Sequence, residues 1–467
     1  MRGARSAVVF LCLVSLGLFG CNGAMNFTPP PPPPPAANNS APVSITMTDA
    51  PPANVTILSF EVTVTSATLN PGSVPLISSP RKIEVKELEA DSAFLSTLNV
   101  PTGTYQSITA NFANPEITFL NQTGAVLAGC SNNTVCEIQS NNAGSATYSG
   151  APFPVTITTG VASALRLDVN VANVITPALG VDFSAANAVT VQQLATHGSG
   201  ETDEMDDLVG VVQNPDLLNH NFTIHTMHGD FLITTDANTE YEIHGCNASN
   251  FNCLQTGQVV QIDVRLLPGG VIDAKRVELD DEVEDNEAEG VVTKIDDATH
   301  FEMVVLDELP LTANVNIGNP ITVTLSSASF QIKSDGLSVP SALQNAFQAA
   351  TNTSQLLPGQ VVEVRVVSFA AGPPISVTTD RVRLSMTQFT GIVTAIALPN
   401  FTLGSLPAIF TNAGINSIVV VTSNQTDVDG STNINALLDG NTVSTRGLLF
   451  KNGANPPEMI AKKVRIR

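Results

Sequence analysis

The chain has 467 residues, 43% of them hydrophobic and only 13% charged, so it can fill more than one apolar core and lacks the signature of intrinsic disorder. With 42 acidic residues against 20 basic ones, the net charge of -22 repels phosphate backbones and argues against nucleic acid as a partner. Aromatic residues are scarce, with no Trp and 3 Tyr, which counts against a site that holds sugars by ring stacking.

Arg2 and Arg5 precede an apolar run from Ala7 to Phe19, the order of charge and hydrophobicity found in secretion signals. The run is too short for a finished membrane-crossing helix, which needs about 20 residues. It ends in Leu18-Phe19-Gly20-Cys21, which resembles the lipobox of bacterial lipoproteins. That resemblance implies that residues 1–20 are a signal peptide and that Cys21 is acylated, making the membrane a partner through the lipid. Asn22 stands where an Asp would favour retention at the inner membrane, so the resemblance points to an outer-membrane lipoprotein facing the periplasm or the surface. Residues 21–42 then form a stalk, because Pro29 to Pro35 dictate an extended polyproline rod of roughly 20 Å.

Cys12 falls within the signal and Cys21 takes the lipid, which leaves Cys130, Cys136, Cys246 and Cys253. Two close pairs in an exported chain predict two local disulfides, each clipping a short loop. Neither pair has the C-x-x-C spacing of a redox or zinc site.

Residues 43–196 alternate apolar and polar side chains rich in Thr, Val and Ile, as in Phe60-Glu61-Val62-Thr63-Val64-Thr65. Such alternation, broken often by Gly, Pro and Asn, predicts an antiparallel β-sandwich with one short helix over Glu87–Leu98. The opening Ser44-Ile45-Thr46-Met47-Thr48-Asp49-Ala50-Pro51, the corner Pro101-x-Gly103-x-Tyr105 and the strand around Asp168 resemble a bacterial lipoprotein domain family of unknown function. Asp49 beside a proline is expected to cap a turn rather than to catalyse.

The rest of the chain repeats itself. Three segments open with Gly210-Val211-Val212, Gly290-Val291-Val292 and Gly391-Ile392-Val393. Each continues to a turn at Gly257-Gln258, Gly359-Gln360 or Gly440-Asn441, and closes on a strand through Val277, Val382 or Val464. About five strands per copy predict small barrels of OB type over residues 208–281, 288–386 and 388–467. The extra length of the second copy includes a helix after Pro340, with Leu343, Ala346, Phe347 and Ala350 on one face, placed between strands three and four. These repeats resemble a second bacterial family of unknown function, and copy three departs most because it lacks the Gln. The fold class is therefore all-β: an N-terminal antiparallel β-sandwich followed by three tandem five-stranded OB-like barrels.

Acidic runs at residues 201–207 and 280–289 read as solvated joints between the units. Calcium is the one cofactor they suggest, with Asp280, Asp281, Glu282, Glu284 and Asp285 as candidate ligands, although no EF-hand spacing is present. His220, His225, His228 and His244 lack the companions of a metal site and read as structural or surface residues. Lys275 and Arg276, Arg381 and Arg383, and Lys462 and Lys463 recur at matching places in the copies. They read first as charged edge positions, with anchors for the acidic joints or an acidic glycan as the alternatives. Hydrolase and phosphate-loop motifs are missing, so an enzyme is not expected. The expected role is a non-catalytic binding or assembly module of the cell envelope, taking a protein or glycan partner along a multivalent array. A carbohydrate- or small-solute-binding lipoprotein and a calcium-stabilised, adhesin-like scaffold are the alternatives.

Overall fold

Dense Thr, Val and Ile alternation leaves each strand with one face to bury, and sheets close on one another to bury it. The computed structural model describes residues 40–50, 56–139, 144–196, 200–226, 229–243, 245–246, 249–279, 287–309, 317–372, 374–429 and 433–467. The described residues all fall within one compact unit. Cys21, the polyproline run and the candidate ligands Asp280, Asp281, Glu282, Glu284 and Asp285 lie outside the described residues.

In the sandwich, the long strands Thr56–Asn70 and Ser107–Asn121 pair at the centre of one sheet. The facing sheet runs in the order Val189–Leu194, Ser163–Asn170, Ser40–Ala50 and Ala93–Pro101. Val43, Ile45 and Met47 from one sheet and Phe60, Val62 and Val64 from the other are wholly buried in a shared core. The expectation of purely antiparallel pairing needs one correction, because Ser40–Ala50 and Ser163–Asn170 run parallel. Parallel neighbours require a long crossover, and the other sheet supplies it.

The helix expected over Glu87–Leu98 is also corrected. Only Val85–Leu88 is helical, as a 3-10 turn, while Ala93–Pro101 pairs as an edge strand along Ser40–Met47. Leu95 and Val100 find the sandwich core from that strand, and its ladder of backbone bonds outweighs a short helix.

The first barrel consists of Asp203–Asp216, Asn221–Thr226, Gly229–Thr234, Val259–Leu267 and Val271–Leu279. The second uses Glu287–Ile295, His300–Leu309, Pro320–Ile332, Val361–Arg365 and Ile375–Leu384. The third uses Met386–Ala397, Asn400–Gly404, Ile418–Val421, Thr442–Phe450 and Glu458–Ile466. Each has the neighbour order 3-2-1-4-5, and each closes by a parallel pairing of strands three and five. That is a closed Greek-key barrel of OB type, in all three copies.

The repeated signature residues acquire physical roles. A Cβ on Gly210 would stand 2.5 Å from the His225 carbonyl oxygen, and one on Gly290 would collide with that of Val304. The opening glycine lets strand two cross close over strand one. The turn glycines Gly257, Gly359 and Gly440 all have left-handed backbone, with φ of 94°, 89° and 85°. Gln258 and Gln360 each accept from the backbone N–H three residues earlier, and Asn441 makes the same bond to Leu438 at 2.7 Å. Copy three therefore keeps the turn with a shorter amide.

The helix in copy two forms at Ser341–Gln348, between strands three and four. Leu343 and Phe347 are buried but Ala346 is exposed, so the face is narrower than its spacing implies. A further short helix, Ala408–Asn412, precedes strand three of the last barrel and is absent from the sequence reading.

The units do not hang as a string. The core of the second barrel runs on into Leu448, Phe450 and Ile460 of the third, where Phe347 meets Phe450 edge-on at 6.3 Å. The core of the third takes in Leu58 and Leu120 of the sandwich and Val304 and Leu357 of the second barrel. Phe94 of the sandwich packs on Phe231 of the first barrel at 6.1 Å. The sandwich and the three barrels form one packed body.

Candidate functional site

The basic residues of the fifth strands converge inward, which corrects their reading as exposed edge positions. Only Lys275 is well exposed. Arg276, Arg383, Lys462 and Lys463 are each under 10% exposed. Lys463 binds Asp91 of the sandwich at 3.0 Å and faces Asp206 of the first barrel at 3.6 Å. Arg383 bonds Glu363 at 2.8 Å, Arg381 pairs with Glu287, and Lys275 reaches Glu204 at 3.1 Å. The acidic run 201–207 is thus no solvated joint: from Asp203 onward it is the first strand of its barrel, and three of its carboxylates meet cations. Glu287 and Glu289 likewise begin the first strand of the second barrel.

A second knot forms around Arg166, which the sequence reading missed. Its guanidinium binds Asp203 at 2.7 Å and Asp429 at 3.1 Å, and Arg465 takes the same Asp429 oxygen at 2.7 Å. Burial disfavours the Asp429 charge, yet Arg465 and Arg166 hold its carboxyl well below the usual range. Arg465 also donates to the Asp91 carbonyl at 3.0 Å, and Arg467 to that of Glu89 at 2.8 Å. One sandwich segment, residues 88–92, therefore anchors the end of the last strand. Such buried pairs cost desolvation, so their main yield is a fixed arrangement of units.

Beside this segment the four units enclose a cavity of about 260 Å³. The sandwich contributes Leu58, Glu84 and Phe94, and the first barrel Met205 and Phe231. The second barrel adds Glu289 and Val361, and the third Met386, Phe389 and Phe410. Its walls combine apolar and aromatic side chains with many charged ones, carboxylates foremost, and convergent polar groups on an apolar wall suit a ligand site. A second cleft, of about 430 Å³, lies between the barrels, but its charged lining includes the paired Lys275 and Glu204, and Arg276, Lys462 and Asp263. The first cavity has four phenylalanines in its lining where the cleft has none, which makes it the better candidate.

Glu84 is a strongly perturbed group in that wall. It accepts from Ser59 Oγ at 2.5 Å, from Phe60 N–H at 2.8 Å and from Lys86 N–H at 2.9 Å. Complete burial pushes its carboxyl up to about 7, and these donors only partly offset that.

The remaining sequence candidates lie elsewhere. Cys130–Cys136 and Cys246–Cys253 are disulfide-bonded. His220 stacks on Phe251 at 5.3 Å, and the exposed His225 pairs with Asp230; His228 and His244 lie outside the described residues. Asp49 stands in a strand opposite Val169 rather than in a turn. Tyr105 donates its hydroxyl to the Pro101 carbonyl at 2.8 Å, closing the Pro-x-Gly-x-Tyr corner. Among the described residues, no group of His, Cys, Asp or Glu is placed to hold a metal, and no helix is long and apolar enough to cross a membrane.

Comparison with known families agrees with this partition. Residues 40–196 match the model described as Domain of unknown function (DUF4382). Residues 209–278 match Domain of unknown function (DUF5666). The first match coincides with the sandwich and the second with the first barrel, whose strand order the other two copies share. Comparison with curated proteins found no match.

Proposed function

We propose that the protein is a lipid-anchored, non-catalytic binding protein of the bacterial cell envelope that holds a small solute between its sandwich and its barrels. The observation that carries this reading is the cavity itself, with apolar side chains supplied to its walls by all four units. The anchor rests on the Leu-Phe-Gly-Cys pattern ending at Cys21, and two disulfides suit an oxidising compartment. Packing four units into one body gives the cavity preformed walls, which lowers the ordering cost of binding.

The test is to purify the full chain from native envelopes and identify released solutes by mass spectrometry. The comparison is Ala93→Phe, which places a ring where a half-buried methyl lines the wall. A solute that follows the natural chain and is lost from the folded variant is expected. Recovery of the same solutes from both proteins would overturn the reading. For the anchor, Cys21→Ser should abolish acylation and release the chain from membranes.

A further inference from the structure

We infer that the junction cavity takes an organic cation, an ammonium group carried on an apolar body; this rests on the cavity being the ligand site. The argument begins with which charges in the wall already have partners. Glu89 holds the Lys86 ammonium, Asp91 holds Lys463, and Glu363 binds Arg383 at 2.8 Å. The cations of the wall are similarly engaged, with Arg446 lying 3.9 Å from Asp91 and Lys333 lying 3.8 Å from Glu363.

Two lining carboxylates stand outside this pairing. Glu84, 3% exposed, accepts only from a hydroxyl and two backbone N–H groups. Glu289, half-buried on the second barrel, accepts only from Ser385 Oγ at 2.7 Å. Among the described residues no cationic side chain meets either one. Carboxylates are costly to bury without a counter-charge, so the cavity gains from a positive guest.

The rest of the wall describes the body of that guest. Phe94 and Phe231 pair at 6.1 Å, and Phe389 and Phe410 at 5.0 Å, so aromatic pairs from the sandwich, first barrel and third barrel line the cavity. Ring faces attract cations within about 6 Å and also pack on hydrocarbon. A hydrated metal ion would waste these walls. Burial already holds the Glu84 carboxyl near 7, so an arriving ammonium can readily draw it into its charged form.

The experiment is calorimetric titration of the full chain with phenethylammonium, phenethyl alcohol and phenylacetate, which share a ring and chain and differ in charge. Phenethylammonium should bind at least tenfold more tightly than the alcohol, with phenylacetate weakest. Glu289→Gln should weaken the ammonium severalfold without threatening the fold, and adding Glu84→Gln should bring it to the level of the alcohol. Equal or tighter binding of the alcohol or acid, no detectable ammonium binding, or indifference to both substitutions would overturn the cation assignment. Ala93→Phe separates the two readings. Charge-blind binding that this variant abolishes leaves the cavity standing and removes the cation; binding that it leaves intact removes the cavity as well.

Discussion

Lys463, in the last strand of the third barrel, donates to Asp91 of the sandwich across 3.0 Å while only 2% of its surface is exposed. Burial opposes the charge, but Asp91 and Asp206 hold the ammonium well above its usual range. Removing one member of such a set strands the others. Lys463→Met should therefore destabilise the chain by about 3–5 kcal/mol, and adding Asp91→Asn should restore part of the loss. Urea denaturation of the two variants measures this; an unchanged midpoint in Lys463→Met would show that the pair is incidental.

Glu84 sets a pH dependence whose sign is unusual for a carboxylate. Its pKa rises from 4.5 unfolded to about 7 folded, so between these values the folded chain keeps a proton that the unfolded chain has lost. The stabilisation is complete below about pH 4.5 and is lost as pH climbs through 7, amounting to about 3 kcal/mol. Glu84→Gln keeps the acceptor for Phe60 and Lys86, and should raise the melting temperature at pH 8 but not at pH 4.5. A variant that melts below the natural chain at pH 8 would contradict this.

The opening glycines of the copies differ in how tightly they are overlain. A Cβ on Gly290 collides with the Val304 carbonyl oxygen, whereas one on Gly391 would lie 3.0 Å from that of Gly404. Gly290→Ala should cost about 1–3 kcal/mol and Gly391→Ala clearly less. Equal losses in a denaturant series would mean that strand two yields easily in both barrels.

Shared cores imply shared unfolding. Because Phe450 and Ile460 pack within the core of the second barrel, amides in the fifth strands of the second and third barrels should exchange with one common opening free energy. Two well-separated values would show independent barrels.

The sandwich, the three barrels, the Ser341–Gln348 helix and both disulfides were legible because each rests on local spacing. The docking of the units was not. A run such as Glu201 to Asp207 has the local pattern of a solvated linker, and the cations that bury it come from Arg166 and Lys463, far away in the chain. The Glu87–Leu98 helix failed for a related reason: its residues suit either period, and only the vacant edge beside Ser40–Met47 decided between them. The cavity wall draws on every unit, so no single stretch announces it.

The matching positions Arg276, Arg381 and Lys463 also bear on how the copies can diverge. Arg276 faces Asp263 of its own barrel, Arg381 pairs with Glu287 at the start of its own first strand, and Lys463 reaches out to the sandwich. Three near-identical strands thus carry three different addresses. Shuffling the copies would carry the first two pairs along intact and leave only Lys463 without its carboxylate, so the place of the last repeat is the one that this position fixes.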